Sequence, residues 1–151
     1  MKVIICADGS EFSETSVDRF LEILSGTAEL SIRVISVYEP PVPMATEPFI
    51  GSQDYYQYVS TEAEKLAKDY ADKAQAKIKS SLPEARISTQ IVKGKPERMI
   101  VEAAEEWRAD LIVVGSHGYG FWGRALLGSV SDFVVHHAPC SVLVVRTTSD
   151  R

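Results

Sequence analysis

The chain of 151 residues has only two cysteines, Cys6 and Cys140, too few for a disulfide framework and at a spacing that fits no zinc or redox motif. Buried, reduced thiols are the simple expectation. No apolar run approaches the roughly 20 residues that span a bilayer, and the stretch after Met1 reaches only to Asp8, too short for a secretory leader, so a cytoplasmic protein without membrane insertion is expected. Basic charge is not in excess either. Sixteen Lys and Arg stand against 21 Asp and Glu, a formal net charge of -5, which argues against binding nucleic acid by general electrostatic attraction. Nine glycines and seven prolines exclude collagen-like and low-complexity classes, and no internal repeat is present. What remains is a chain with 45% apolar residues and the length of one domain, expected to span residues 1–147 with a frayed tail at 148–151.

Val3 to Ala7 is a short apolar run stopped by Asp8-Gly9-Ser10, the pattern of a strand buried on both faces. Ser13 is placed to cap the helix that follows, with Val17, Phe20, Leu21 and Leu24 at helical spacing, Phe12 and Val17 as a hydrophobic staple and Gly26 as the stop. Leu30 to Tyr38 predicts a second strand, closed by Pro40-Pro41. The segment 39–59, with Pro40, Pro41, Pro43 and Pro48 beside Phe49, Tyr55, Tyr56 and Tyr58, reads as a long loop that serves as a lid, a partner-docking surface or passive packing. A long helix is predicted over 61–80 from Ala63, Leu66, Ala67, Tyr70, Ala71, Ala74 and Ile78, with Thr61 and Glu64 as its capping box.

Ile87 to Val92 alternates like a strand, and Pro96 opens a helix bearing Ile100, Ala103, Ala104 and Trp107. Leu111 to Val114 and Val142 to Val145 are two further apolar runs, separated by a helix with Val130, Phe133 and Val134 that closes on His136 and His137. Such alternation predicts an α/β fold with a five-stranded parallel sheet, because each right-handed crossover carries a helix back over one face. Ligands of these sheets bind outside the carboxyl ends of the strands where the strand order reverses. Two segments qualify: Asp8-Gly9-Ser10, and the loop from Gly115 to Ser129, which holds five of the nine glycines.

Within that loop Gly118-x-Gly120-x-x-Gly123 mimics a dinucleotide fingerprint, but it follows the fourth strand and the fifth leads to Arg146 where a ribose-binding acid is wanted. Gly118-x4-Gly123-Arg124-Ala125 lacks the lysine and hydroxyl of a phosphate loop. The general physics survives: glycines bring backbone N–H groups close to an anion, and a helix N-terminus adds partial positive charge. Ser129-x-x-Asp132 reads as a capping box, leaving the Ser131 hydroxyl for a bound phosphate. Asp8 has two readings, ligand contact or cap of its own turn. Arg124 likewise faces outer phosphates or solvent, and His117 lies in the loop without a catalytic partner in view. His136 and His137 suit a helix C-terminus and lack a third metal ligand, so no metal site of protein side chains alone is expected.

The pattern Gly115-x2-Gly118-x9-Gly128-Ser129, the Val130-Ser131 that follows, and the ending Ala138-Pro139-Cys140-Ser141-Val142-Leu143-Val144-Val145 resemble the universal stress protein family in its nucleotide-binding branch. The resemblance extends over nearly the whole chain, including Asp8-Gly9-Ser10 and Val34-Ile35-Ser36-Val37. It implies a Rossmann-like three-layer sandwich, similar to the adenine nucleotide alpha-hydrolases, with strand order 3-2-1-4-5. It also implies ATP, or ADP or AMP, as ligand, with Mg2+ carried on the phosphates. Asp8 would approach the ribose or the metal-phosphate region, and Val37 would meet adenine through its backbone. Gly115 and Gly118 would pass close to ribose and phosphate; Gly128, Ser129, Val130 and Ser131 would hold the phosphates. Gly9, Ser10, Ser116, His117 and Arg124 complete the expected nucleotide-binding set. The last strand, exposed at a sheet edge, would pair with its twin through Val142, Leu143, Val144 and Val145 in a homodimer.

No paired acid and base or activated nucleophile is evident, so the expected function is a nucleotide-responsive regulatory or stress-response homodimer with an unidentified protein partner. A slow nucleotide hydrolase of the same fold and a dimeric scaffold with a vacant pocket are the alternatives.

Overall fold

A computed structural model describes residues 1–24, 29–40, 53–117 and 127–146. The elements run β1 (Lys2–Cys6), α1 (Glu11–Leu24), β2 (Ser31–Tyr38), α2 (Gln53–Ser81), β3 (Arg86–Lys93), α3 (Pro96–Trp107), β4 (Leu111–Gly115), α4 (Ser129–His137) and β5 (Ser141–Val145). All strand pairs are parallel and the order is β3-β2-β1-β4-β5, as expected. The order reverses at β1, which pairs with β2 on one side and β4 on the other.

β1 explains why the sheet forms where it does. Val3, Ile4 and Ile5 are fully buried, and alternate residues enter different cores. Val3 and Ile5 join Val17 and Phe20 of α1 and Ala71 and Ile78 of α2; Ile4 joins Ile100 and Ala104 of α3 and Val134 of α4. Each such side chain contributes about 1.5–3 kcal/mol on leaving water. β3 is covered less completely: Ile87 and Ile91 pack on the core under α2 and Val92 on the other core, whereas Ser88 and Thr89 are exposed.

Three helix starts differ from the sequence expectation. α1 begins at Glu11, and its cap is Ser10: the Ser10 carbonyl accepts the Glu14 N–H at 3.1 Å and its Oγ accepts the Ser13 N–H at 3.2 Å. Ser13 is instead a buried helical residue whose hydroxyl donates back to the Ser10 carbonyl. Phe12, inside the helix, is not at the N′ position a staple requires. α2 begins at Gln53, eight residues before Thr61, whose hydroxyl donates to the Gln57 carbonyl at 2.8 Å within the helix instead of capping it. α4 is capped by the backbone of Gly128, so Ser129 is its first residue and the Ser129/Asp132 capping box does not form. α3 does start on Pro96, after Lys95. Part of the predicted loop 39–59 is thus helix, and residues 41–52 lie outside the described residues, as do Gly26 and the tail at 148–151.

Candidate functional site

A cavity of about 650 Å³ opens at the carboxyl ends of β1, β2 and β4, where the strand order reverses. One end is apolar. Ile35 and Val37 of β2 form its floor, Ala63, Leu66 and Ala67 of α2 one wall, and Pro96 and Ile100 of α3 another. The other end is polar and is built from Asp8, Gly115, His117 and the first residues of α4, Ser129 to Ser131. At 29 residues α2 is about 43 Å long, against roughly 26 Å for the eight residues of β2. Its early turns therefore rise past the strand ends and supply the wall.

Asp8 terminates β1 and organises the turn: its Oδ1 accepts the Ser10 N–H at 2.9 Å and the Ser10 hydroxyl at 2.6 Å. The carboxylate is thereby fixed at the cavity. Gly9 sits at φ +76, and a Cβ there would come within 2.2 Å of the Tyr70 ring, so this turn needs glycine for both conformation and space. The Tyr70 ring divides the main cavity from a second one of about 190 Å³, to which Gly9, Lys73 and Lys77 belong.

Gly115 closes β4 against α1. A Cβ there would stand 2.8 Å from the Phe12 backbone, and Phe12 in turn packs on the His117 ring with centroids 5.2 Å apart. His117 Nδ1 lies 3.2 Å from the Ser116 Oγ. The loop after β4 is pinched at its base: the Gly128 N–H donates to the Ser116 carbonyl at 2.8 Å, and the Ser116 N–H to the Val145 carbonyl at 2.7 Å. Ser131, 2% exposed, directs its hydroxyl at the Ser116 and Gly128 carbonyls, both 2.9 Å away. Since a hydroxyl has one proton, Ser131 acts on the loop base. At the start of α4 no side chain among the described residues caps the first N–H groups, and these residues border the cavity. Such an end favours an anion.

At the apolar end Tyr38 donates to Glu64 Oε2 at 3.3 Å, tying the end of β2 to α2; partial desolvation first, then the Glu64 carboxylate, raise the Tyr38 phenol above its usual range. Cys6 on the cavity floor has its thiol pushed well up, first by burial and then by the Asp8 carboxylate. Both cysteines are free and half-buried.

Of the residues expected from sequence, Asp8, Val37, Gly115, His117, Gly128, Ser129, Val130 and Ser131 border the one cavity. Gly9 borders the smaller one, whereas Ser10 and Ser116 are buried beneath the turn and loop. Gly118 and Arg124 lie outside the described residues. Val142 to Val145 form β5, at the edge of the sheet beside β4. The α2 wall was missed, though the period that marks it runs on back through Val59 to Tyr56. His136 and His137 donate through Nδ1 to the Asp132 and Phe133 carbonyls of α4, with His137 stacked on Phe133 at 3.9 Å. Among the described residues no group of three His, Cys, Asp or Glu is arranged to hold a metal, and no helix is long and apolar enough to cross a membrane.

A parallel sheet in this order, with a half-apolar, half-polar cavity at the reversal and a helix N-terminus facing it, defines a Rossmann-like α/β domain with a candidate ligand site. The family model described as the universal stress protein family matches residues 1–146. A universal stress protein of Methanocaldococcus jannaschii is 34% identical over 149 residues, covering 96% of this chain and 81% of that one. The chain belongs to the universal stress protein family. Among solved structures, the universal stress protein UspA from Lactobacillus plantarum superposes with a TM-score of 0.81 at 24% identity, covering 97% of each chain. A universal stress protein in complex with cAMP matches at 28% identity and a TM-score of 0.54, covering 98% of each chain.

Proposed function

We propose that this protein binds an adenine nucleotide, ATP or its relatives ADP and AMP, and uses it to bias the conformation or assembly of a regulatory homodimer. The observation that carries the reading is the division of one cavity. A flat apolar ring system suits the end lined by Val37, Ala63, Leu66 and Ile100, and phosphates suit the end formed by Gly128, Ser129 and the N-terminus of α4. The cAMP held by a relative of the same family supports an adenine base as the ring system. In this reading Asp8 faces the ribose or metal, Val37 meets the base through its backbone, and Gly115, Gly118, Val130 and Arg124 serve the phosphates. His117 stands beside them. Ser10, Ser116 and Ser131 hold the turn and loop that make these contacts.

Mg2+ fits this set in one way. It binds well through one carboxylate, phosphate oxygens and water, and Asp8 is the carboxylate at the polar end. Such an ion arrives with the nucleotide and neutralises part of the phosphate charge. Signalling through a protein partner in the cytoplasm completes the proposal.

Calorimetric titration of nucleotide-stripped protein with ATP and, separately, AMP in the presence of Mg2+ tests the reading. One ATP per chain without release of ADP is expected. Multiple turnover makes the protein a hydrolase, and the absence of binding by either nucleotide to folded protein leaves a scaffold.

A further inference from the structure

The molecule contains one buried polar side-chain atom without a hydrogen bond among the described residues, the hydroxyl of Ser36, and Ser36 belongs to the wall of the main cavity. Residues 32, 34 and 36 of β2 share a face, and Ile32 and Val34 on that face pack with Ala71 and Ile78 of α2. Ser36 thus continues an otherwise apolar row, at 1% exposure, near the end of the strand and under the α2 wall. A valine or alanine would serve packing as well or better, because an orphaned hydroxyl in an apolar surrounding is a net cost. The other buried serines differ. Ser13, Ser16 and Ser131 all donate to backbone carbonyls, and Ser10 donates to Asp8.

Resting on the nucleotide reading above, we infer that Ser36 is a specificity-determining residue whose hydroxyl turns about χ1 into the cavity and hydrogen-bonds the polar edge of the bound base. The position fits this role because Ser36 borders the cavity from the α2 side of β2, across the strand from the face that Ile35 and Val37 present, at the end where a ring system is enclosed and its nitrogen atoms lose water. A hydroxyl both donates and accepts, which matches the adjacent donor and acceptor that an adenine edge presents. A base pressed into this slot with the Val37 backbone as its single partner would leave part of its polar rim unsatisfied. The single serine of the row therefore adds a side-chain contact to the Val37 backbone and sharpens the preference for a ring with hydrogen-bonding atoms on its rim.

The test is Ser36→Ala, with ATP affinity and the melting temperature of the nucleotide-free protein measured side by side. A ligand-holding hydroxyl predicts ATP binding weakened by about five- to tenfold, the effect of one lost hydrogen bond. It also predicts a nucleotide-free melting temperature that is unchanged or higher, since no native hydrogen bond is removed. ATP binding equal to that of the wild type overturns the inference and leaves the nucleotide reading intact. A lowered melting temperature with unchanged ATP affinity also overturns it, making Ser36 structural. Wild-type protein that binds no ATP removes both.

Discussion

Individual residues at the site carry two kinds of demand, one from packing and one from ligand, and the two are separable at Gly9. Its positive φ and its contact with Tyr70 are properties of the protein alone. Gly9→Ala is expected to destabilise by about 1–3 kcal/mol, from the left-handed backbone and the displaced ring together. In a Tyr70→Ala background the penalty should fall to the backbone part, about 1 kcal/mol; urea unfolding of the four variants measures this coupling. Ser131→Ala should cost about 1 kcal/mol through the lost bond to the Ser116 and Gly128 carbonyls. Amide exchange at Ser116 and Gly128 should quicken more than in the central strands. Cys6 offers a chemical readout: with its thiol raised by burial and by Asp8, little thiolate is present at pH 8, so alkylation should be slow there and rise with pH. Bound ATP should slow it further, because Cys6 forms part of the cavity floor.

At the scale of elements, the strands were legible because β1, β4 and β5 are apolar runs and β3 alternates with polar residues, each with clear stops, and β1, buried on both faces, has no polar alternate to confuse the pattern. Helix boundaries were less legible, for a common reason. Ser and Thr occur both as caps and as helical residues whose hydroxyls bond back to a preceding carbonyl, as Ser13 and Thr61 do, and local sequence does not separate the two. The start of α2 was hidden further by Tyr55, Tyr56 and Tyr58, modest helix formers beside a proline-rich stretch. The polar end of the site was readable from the glycine pattern, but the apolar wall was not, since Ala63 and Ala67 look like any helix face until the sheet shows how far α2 rises. The wall is testable. Ala63→Phe places a ring in the cavity from a half-buried helical position, and should weaken ATP binding at least tenfold with an unchanged far-ultraviolet circular dichroism spectrum. Equal affinity would place the nucleotide away from α2.

For the whole molecule, the sheet has two edges with different characters. β3 carries exposed Arg86, Ser88, Thr89 and Lys93, the polar dress by which an edge strand resists pairing. β5 carries Val142, Leu143 and Val144, all half-buried, with no charge between Ser141 and Val145. Two copies joined by a two-fold axis at β5 would cover this edge in both at once, and the contact closes without leaving a surface for further growth. It would also place the two cavities on one continuous structure, because β5 runs beside β4, whose last residue Gly115 borders the cavity, and the Val145 carbonyl receives the Ser116 N–H. Val142→Glu puts a carboxylate on the edge, where desolvation and repulsion from its symmetry mate oppose association. Sedimentation should therefore give twice 16.6 kDa for the wild type and 16.6 kDa for the variant. If the variant keeps the wild-type mass, assembly runs through another surface. If the monomer binds ATP with altered affinity, assembly and nucleotide binding are thermodynamically linked, and ATP must then shift the dimer equilibrium by the same factor.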